Sequence, residues 1–342
     1  MKIIRMHRYG GPEVLTLEEA DTPDPGEGQI LVRVEAASVN WSDTMRRRDD
    51  VYPFASSLPF TPGGEVAGTV EALGAGVEGP PVGTPVFALA GEDGSTGYAQ
   101  FTVADSTRVI PIPPGVSSDV AATTLVAGVT ASLMLGQTAR IQAGESVLVP
   151  GAAGGVGTYA VQIAKLLGAG TVIGLASTSA RRDAALARGA DYALDPADPH
   201  WPDRVRELTK GRGVDIALEA TGGPVLDQSI ACLAPFGRCV VYGYASRTMA
   251  TLGASATETL LYRPALNQAL IGFNVGAFFG LAPEVAGPAV GQLLGWLAAG
   301  EVQVPIARTF DLADAELAHR ALESHEVEGK IVLNPWPTEA TR

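Results

Sequence analysis

The chain has 342 residues, 46% hydrophobic and 18% charged. This excludes a disordered protein and exceeds the roughly 250–300 residues at which a single core stops growing, so two domains are expected. A formal net charge of −13 repels polyanions and argues against a nucleic-acid partner. Cys232 and Cys239, with no C-x-x-C pair and no histidine nearby, support neither a disulfide framework nor a zinc site and read as packing thiols.

Met1 to His7 contains no apolar run of signal-peptide length and starts like a strand, so a cytoplasmic protein is expected. Up to about residue 125, short alternating runs such as Ile30 to Ala36, Val66 to Ala72 and Pro85 to Leu89 are separated by Pro and Gly clusters, which predicts a β-rich domain. Arg46-Arg47-Arg48 is followed at once by Asp49-Asp50 and reads as a solvated, self-neutralised loop, or else as a lip that attracts an anionic substrate. A helix-like stretch then runs from Ser118 to Gly136. The uncharged stretches 120–139 and 264–283, the second continuing to Gly300 with only Glu284, are interrupted by Gly, Pro and polar residues. They read as buried elements rather than membrane spans.

Val147-Leu148-Val149-Pro150 runs straight into Gly151-Ala152-Ala153-Gly154-Gly155-Val156-Gly157. A strand, a tight turn and a helix N-terminus in that order bring unpaired N–H groups and the positive helix end to a diphosphate. In G-x-G-x-x-G spacing Ala152 stands where the first glycine would be, Gly154 allows close approach of the backbone, and Gly157 allows helix and strand to pack. Ala160, Ile163, Ala164 and Leu167 continue at helical spacing, Gly168 ends the helix, and Thr171 to Ala176 is a second apolar strand. The βαβ alternation, and with it a parallel sheet, extends through Val240-Val241-Tyr242-Gly243. After about residue 275, helices over 285–299 and 313–324 and a final strand, Lys330 to Leu333, are expected to return to the first domain.

In this order the motifs resemble the medium-chain dehydrogenase/reductase superfamily, and within it the zinc-independent quinone oxidoreductases of the zeta-crystallin type. The resemblance rests on Ser38-Val39-Asn40-Trp41-Ser42-Asp43, Leu58 to Gly68, Gly97-Tyr98-Ala99, Gly128-Val129-Thr130-Ala131 and Gly329-Lys330-Ile331-Val332-Leu333, together with the glycine turn. It implies an α/β fold in which a Rossmann doubly wound parallel sheet domain, 127–275, is inserted in a GroES-like β-rich catalytic domain, 1–126 and 276–342. Where zinc-dependent relatives carry a cysteine ligand this chain has Asn40, and where they carry Gly-His-Glu it has Gly63-Gly64-Glu65, so no metal is expected.

The strand that follows the glycine turn ends Leu175-Ala176-Ser177-Thr178-Ser179-Ala180-Arg181-Arg182, without the carboxylate that would take a free ribose 2′-OH. Ser177 can donate to a 2′-phosphate and Arg181 can pair with it, which favours NADPH; the plain alternative is that Arg181 and Arg182 begin a solvated helix. The resemblance implies further cofactor contacts from Ala153, Gly154, Gly155, Val156, Gly157, Thr221, Gly243, Tyr244, Phe273, Asn274 and Lys330. It also implies catalytic roles for Asn40 and Thr130 as donors to a developing oxyanion and for Tyr52 as a proton source, although Tyr52 also reads as an aromatic wall. The expected partner is a small-molecule electron acceptor, a quinone or an enone, with neither nucleic acid nor membrane. An idle NADPH-binding protein is the alternative from another class. Ala269 to Phe273 matches an edge strand through which similar proteins form homodimers, or else is an ordinary interior strand.

Overall fold

The computed structural model describes residues 1–52, 54–247, 252–262, 266–325 and 327–336, and its elements are counted over these. Two compact units emerge, Met1–Val126 with Val304–Arg342, and Ala127–Gln303.

The first unit opens with the antiparallel ribbon β1 (Lys2–Arg5) and β2 (Thr16–Glu19), followed by the long strand β3 (Gln29–Val39) and helix α1 (Trp41–Arg48). Strands β4 (Glu65–Leu73), β5 (Pro85–Leu89), β6 (Phe101–Asp105) and β7 (Val109–Pro111) and the single turn α2 (Ser118–Ala121) complete its front part. Alternation along β3 feeds two cores. Ile30 and Val32 pack with Val70, Val86 and Ala104, whereas Val34, Ala37 and Val39 join Val66, Ile331 and Leu333. Register shifts between Leu31 and Val32 and between Val34 and Ala36 flank the point, between Val32 and Val34, where the strand passes from one core to the other.

The second unit contains α3 (Val129–Leu133), β8 (Ser146–Pro150), α4 (Gly155–Leu166), β9 (Thr171–Leu175), α5 (Ser179–Ala187), β10 (Tyr192–Leu194), α6 (Trp201–Leu208), β11 (Val214–Glu219), α7 (Pro224–Ala231), β12 (Leu233–Val241), α8 (Ala254–Tyr262), β13 (Ala269–Gly272), α9 (Val275–Leu281) and α10 (Pro283–Ala298). Its six strands lie in the order β10-β9-β8-β11-β12-β13, all parallel. Counted from β8 this is 3-2-1-4-5-6, the dinucleotide-binding order, with the switch point between β8 and β11 where ligands lodge beyond the strand ends. Every residue of β8 and β11 is buried, as parallel central strands require. Gly168, at φ +87, ends α4.

The chain returns to the first unit through β14 (Ile306–Asp311), α11 (Ala315–Glu323) and β15 (Lys330–Asn334), completing a seven-stranded sheet of order β14-β15-β3-β4-β5-β7 with β6 on β3. The return falls at Val304, not at 276 as expected from the sequence. Residues 276–303 stay with the Rossmann unit because α10 packs on α3: a Cβ on Gly128 would lie 2.6 Å from Leu293. Strand β14, which sequence patterning missed, is an edge strand without a buried alternate face. No helix among the described residues is long and apolar enough to cross a membrane.

Candidate functional site

In the second unit the glycine turn follows β8 as expected. Gly151 adopts φ +69 and Gly154 is the extended N-cap of α4, at φ −82 and ψ 178. A Cβ on Gly157 would stand 2.1 Å from the Gly151 carbonyl, which leaves glycine alone at that position. Ala152 departs from the glycine pattern for a visible reason. Its methyl fills the space over Gly174 of β9, where a Cβ would lie 2.7 Å away, so the small residue has moved from the turn to the facing strand. Ala153 is buried, while Gly155 and Val156 are half-buried in the first turn of α4.

At the end of β9, Ser177 is exposed and Thr178 caps α5, its hydroxyl accepting from the Arg181 N–H at 3.3 Å. The Arg181 side chain is 9% exposed and folds back toward the turn, with Nη2 4.0 Å from where a Cβ on Gly154 would be. Arg182 instead pairs with Asp195 and the Ala176 carbonyl, both at 3.0 Å. The two arginines therefore separate, one toward the glycines and the other to a partly buried ion pair.

Other expected cofactor residues of this unit lie at strand ends. Thr221 follows β11, and Glu219 gathers the Thr221 and Gly222 N–H groups and the Ser229 hydroxyl on its fully buried carboxylate. Gly243 and Tyr244 follow β12 and are half-buried. Phe273 lies against Phe278 with ring centroids 5.5 Å apart, and Asn274 caps α9 through the Gly276 N–H at 2.8 Å. Thr130 is buried in the first turn of α3.

In the first unit, Asn40 ends β3 and caps α1. It forms a capping box with Asp43, whose Oδ2 accepts the Asn40 N–H at 2.8 Å. The Asn40 amide is fixed from both sides, because Lys330 Nζ donates to Oδ1 at 2.6 Å and Nδ2 donates to Glu65 Oε1 at 3.0 Å. An ammonium cannot accept and a carboxylate cannot donate, so the amide has one possible orientation, and Glu65 takes only one of its two N–H groups. Glu65 also receives the Val126 N–H at 2.8 Å and lies 3.7 Å from Lys330 Nζ. Burial pushes Glu65 up and Lys330 down, and each opposes the other's shift with its charge. Lys330, expected near the cofactor phosphates or the mouth of a cleft, is 3% exposed and committed to Asn40 and Glu65.

Asp43 also receives the Gly63 N–H at 3.1 Å, and its burial raises its pKa to about 6. Gly63 is at φ +102, and a Cβ there would meet the Tyr98 backbone nitrogen at 2.6 Å. Tyr52 is half-buried beneath the Arg46 guanidinium, 5.4 Å from its ring, and burial raises its pKa. Asp43 was within reach of sequence reasoning, because Asn40-x-x-Asp43 is a capping-box signature. Glu65 carried no such signal.

The arginine run is neither a solvated loop nor a lip. Arg46 and Arg47 are 2% and 0% exposed. Arg46 binds the Asp93 and Gly94 carbonyls and the Ser56 hydroxyl and pairs with Asp93, while Arg47 pairs with Glu323 at 2.6 Å. The charges pack inward because they fall in the last turn of α1, where cations complement the helix dipole and buried acceptors satisfy them.

Comparison with known proteins agrees with this architecture. A model of the alcohol dehydrogenase GroES-like domain matches residues 26–114, and one of the zinc-binding dehydrogenases matches residues 155–279. A quinone oxidoreductase of Pseudomonas aeruginosa is 33% identical over 98% of this chain and 99% of its own length. The 2-haloacrylate reductase of a Burkholderia species is 31% identical over 96% and 98%. The crystal structure of Escherichia coli quinone oxidoreductase complexed with NADPH superimposes with a TM-score of 0.89 at 29% identity, covering 98% of this chain and all of that one. With full-length relatives above 30% identity and both component domains present, the chain belongs to the medium-chain dehydrogenase/reductase superfamily and is an oxidoreductase.

Proposed function

We propose that the protein transfers hydride from NADPH to quinones without zinc. The observation that carries this reading is the Asn40 amide, locked between Lys330 and Glu65 with an N–H to spare. Asn40 and Gly64 do not fit a tetrahedral zinc. The amide oxygen is taken by an ammonium 2.6 Å away, which would repel a divalent cation, and Gly64 has no side chain to offer.

The cofactor assignment is supported by the Arg181 guanidinium beside Gly154 and by the lack of a carboxylate at the end of β9. The E. coli relative's NADPH complex agrees with it. When bound, NADPH supplies the hydride. The chain's part is orientation of the acceptor, to within about 3–3.5 Å of the donor carbon, and stabilisation of the charge that grows on the acceptor oxygen. Asn40 offers its second N–H to that oxygen, and Lys330, bonded to the same amide, strengthens the donor by polarising it. Thr130 is the second candidate donor. Quinol oxygens take their protons from water, so no dedicated acid is required.

A second reading, reduction of the C=C bond of enones, enals or enoyl thioesters, is favoured by Tyr52, a half-buried phenol beside the Arg46 guanidinium that can donate a proton. The Burkholderia relative, whose named substrate carries an activated C=C bond, points the same way. Turnover of 1,2-naphthoquinone and a 2-alkenal, measured side by side with NADPH, separates the two. Faster enal reduction, abolished by Tyr52→Phe, would overturn the quinone reading, and better turnover with NADH would overturn the roles of Ser177 and Arg181. Tight NADPH binding with no turnover of any acceptor would instead identify an idle binding protein.

A further inference from the structure

Arg47, His319 and Tyr98, which the proposed reaction does not use, form a line behind Asp43. Arg47 Nη1 is 3.1 Å from His319 Nδ1, His319 Nε2 is 3.0 Å from Tyr98 Oη, and Tyr98 Oη is 3.4 Å from Asp43 Oδ2. Arg47, His319 and Tyr98 are 0% exposed and Asp43 is 2% exposed.

Chemistry fixes the direction of this chain. A guanidinium only donates, so Nδ1 accepts, and the ring, kept neutral by burial and by the charges of Arg47 and Arg48, carries its proton on Nε2. Nε2–H then donates to the phenol oxygen, and the phenol proton goes to Asp43. The reverse chain requires a protonated Asp43 donating to Tyr98, Tyr98 donating to Nε2, and the ring proton on Nδ1. That proton would face the Arg47 N–H, two donors head to head, so Arg47 closes off the reverse arrangement. Glu323 takes Arg47 Nη2 at 2.6 Å outside this line and shares the same oxygen with Arg48 Nη1.

At the working end, Asp43 accepts the Asn40 and Gly63 N–H groups and so ties the start of α1 to the segment that leads into β4 and Glu65. Its remaining ionisable neighbours are Arg46 and Lys330, which favour the carboxylate, and Tyr52. We propose that Arg47, His319 and Tyr98 are positioning residues that act through Asp43 to hold Asn40 in register with Glu65. The role of Asn40 itself rests on the function proposed above.

Two measurements test this. ¹⁵N-histidine NMR of the wild-type protein is expected to show His319 as a neutral Nε2–H tautomer that does not titrate from about pH 5 to 8. An Nδ1–H tautomer, or titration in that range, would overturn the chain. In quinone reduction with NADPH, Tyr98→Phe and His319→Leu are expected to lower kcat about tenfold, with KM for NADPH within about twofold of wild type. His319→Gln, which can accept from Arg47 and donate to Tyr98, retains most of kcat. A purely packing role predicts that Leu at 319 matches or exceeds Gln, and that result would sink the proposal. If wild type reduces no acceptor, the proposed function fails, while the tautomer measurement, which needs no variant and no turnover, still upholds or overturns the chain.

Discussion

Lys330 Nζ and Asn40 Oδ1 are 2.6 Å apart across 290 positions of sequence, joining the last strand of the first unit to the end of β3. Removing the ammonium alone leaves Glu65 buried without its opposite charge, which typically costs about 3–5 kcal/mol. Lys330→Met is therefore expected to lower stability by that order and kcat by at least about tenfold, since Asn40 loses both its anchor and its polarising partner. The double variant Lys330→Met with Glu65→Gln restores most of the stability, because no unpaired buried charge remains, but not the rate. Urea unfolding and steady-state kinetics on the same preparations check both halves, and recovery of the rate along with the stability would mean that Lys330 acts on folding alone.

Arg181 lies beside Gly154 and Arg182 is held by Asp195, so the two arginines make opposite predictions. Arg181→Ala is expected to raise KM for NADPH by about ten- to a hundredfold, the equivalent of one charge-assisted phosphate contact, and to leave NADH nearly unaffected. Arg182→Ala changes neither by more than about twofold, because Arg182 is held by Asp195 and the Ala176 carbonyl and does not face the glycine turn. Equal effects of both substitutions on NADPH would place the 2′-phosphate selectivity elsewhere.

The parallel sheet and the glycine turn were legible because both are local: an apolar strand, a tight turn and a helix stripe follow one another within about twenty residues. Of the Asn40–Lys330–Glu65 cluster only Asn40 and Lys330 were legible, as separate motif positions, since nothing in one segment reveals that an ammonium from β15 reaches an amide that follows β3. The arginine run reads as solvated for a related reason. Its partners Asp93, Glu323 and His319 come from distant segments, and a charge run looks solvated until they are known. A boundary at 276 falls short of Val304 because α9 and α10 carry apolar residues without marking which core receives them.

Among the described residues, strand β13 pairs only with β12 and forms the edge of the six-stranded sheet, with Ala269, Leu270 and Gly272 exposed. An apolar, uncharged edge with free N–H and C=O groups offers itself to another strand. Two copies are expected to associate there, giving a dimer by sedimentation at two concentrations. Leu270→Lys, which places a charge on that edge, shifts the protein toward monomer without lowering the stability of the isolated chain by more than about 1 kcal/mol. A wild-type monomer at both concentrations would remove the prediction, and an undisturbed dimer in Leu270→Lys would move the interface to another face.

Asp43 and His319 make opposite contributions to the dependence of stability on pH. Burial raises the Asp43 pKa to about 6, so the folded chain binds that proton more tightly than the unfolded chain does. The resulting stability is present below the unfolded carboxylate value near 4 and is lost as pH rises to about 6, a change of about 3 kcal/mol for a two-unit shift. His319 is held well below its ordinary value, so the unfolded chain takes up its proton first, and the stability tied to the neutral ring is present above about pH 6.5 and lost as pH falls below it. Unfolding free energies measured at pH 4.5 and 7.5 should separate the two. Between these values Asp43→Asn is expected to gain on wild type as pH rises, and His319→Gln to gain on wild type as pH falls. Parallel pH profiles for wild type and Asp43→Asn would mean that the carboxyl titrates alike in the folded and unfolded chains, and its place at the end of the Tyr98 chain would then leave no mark on stability.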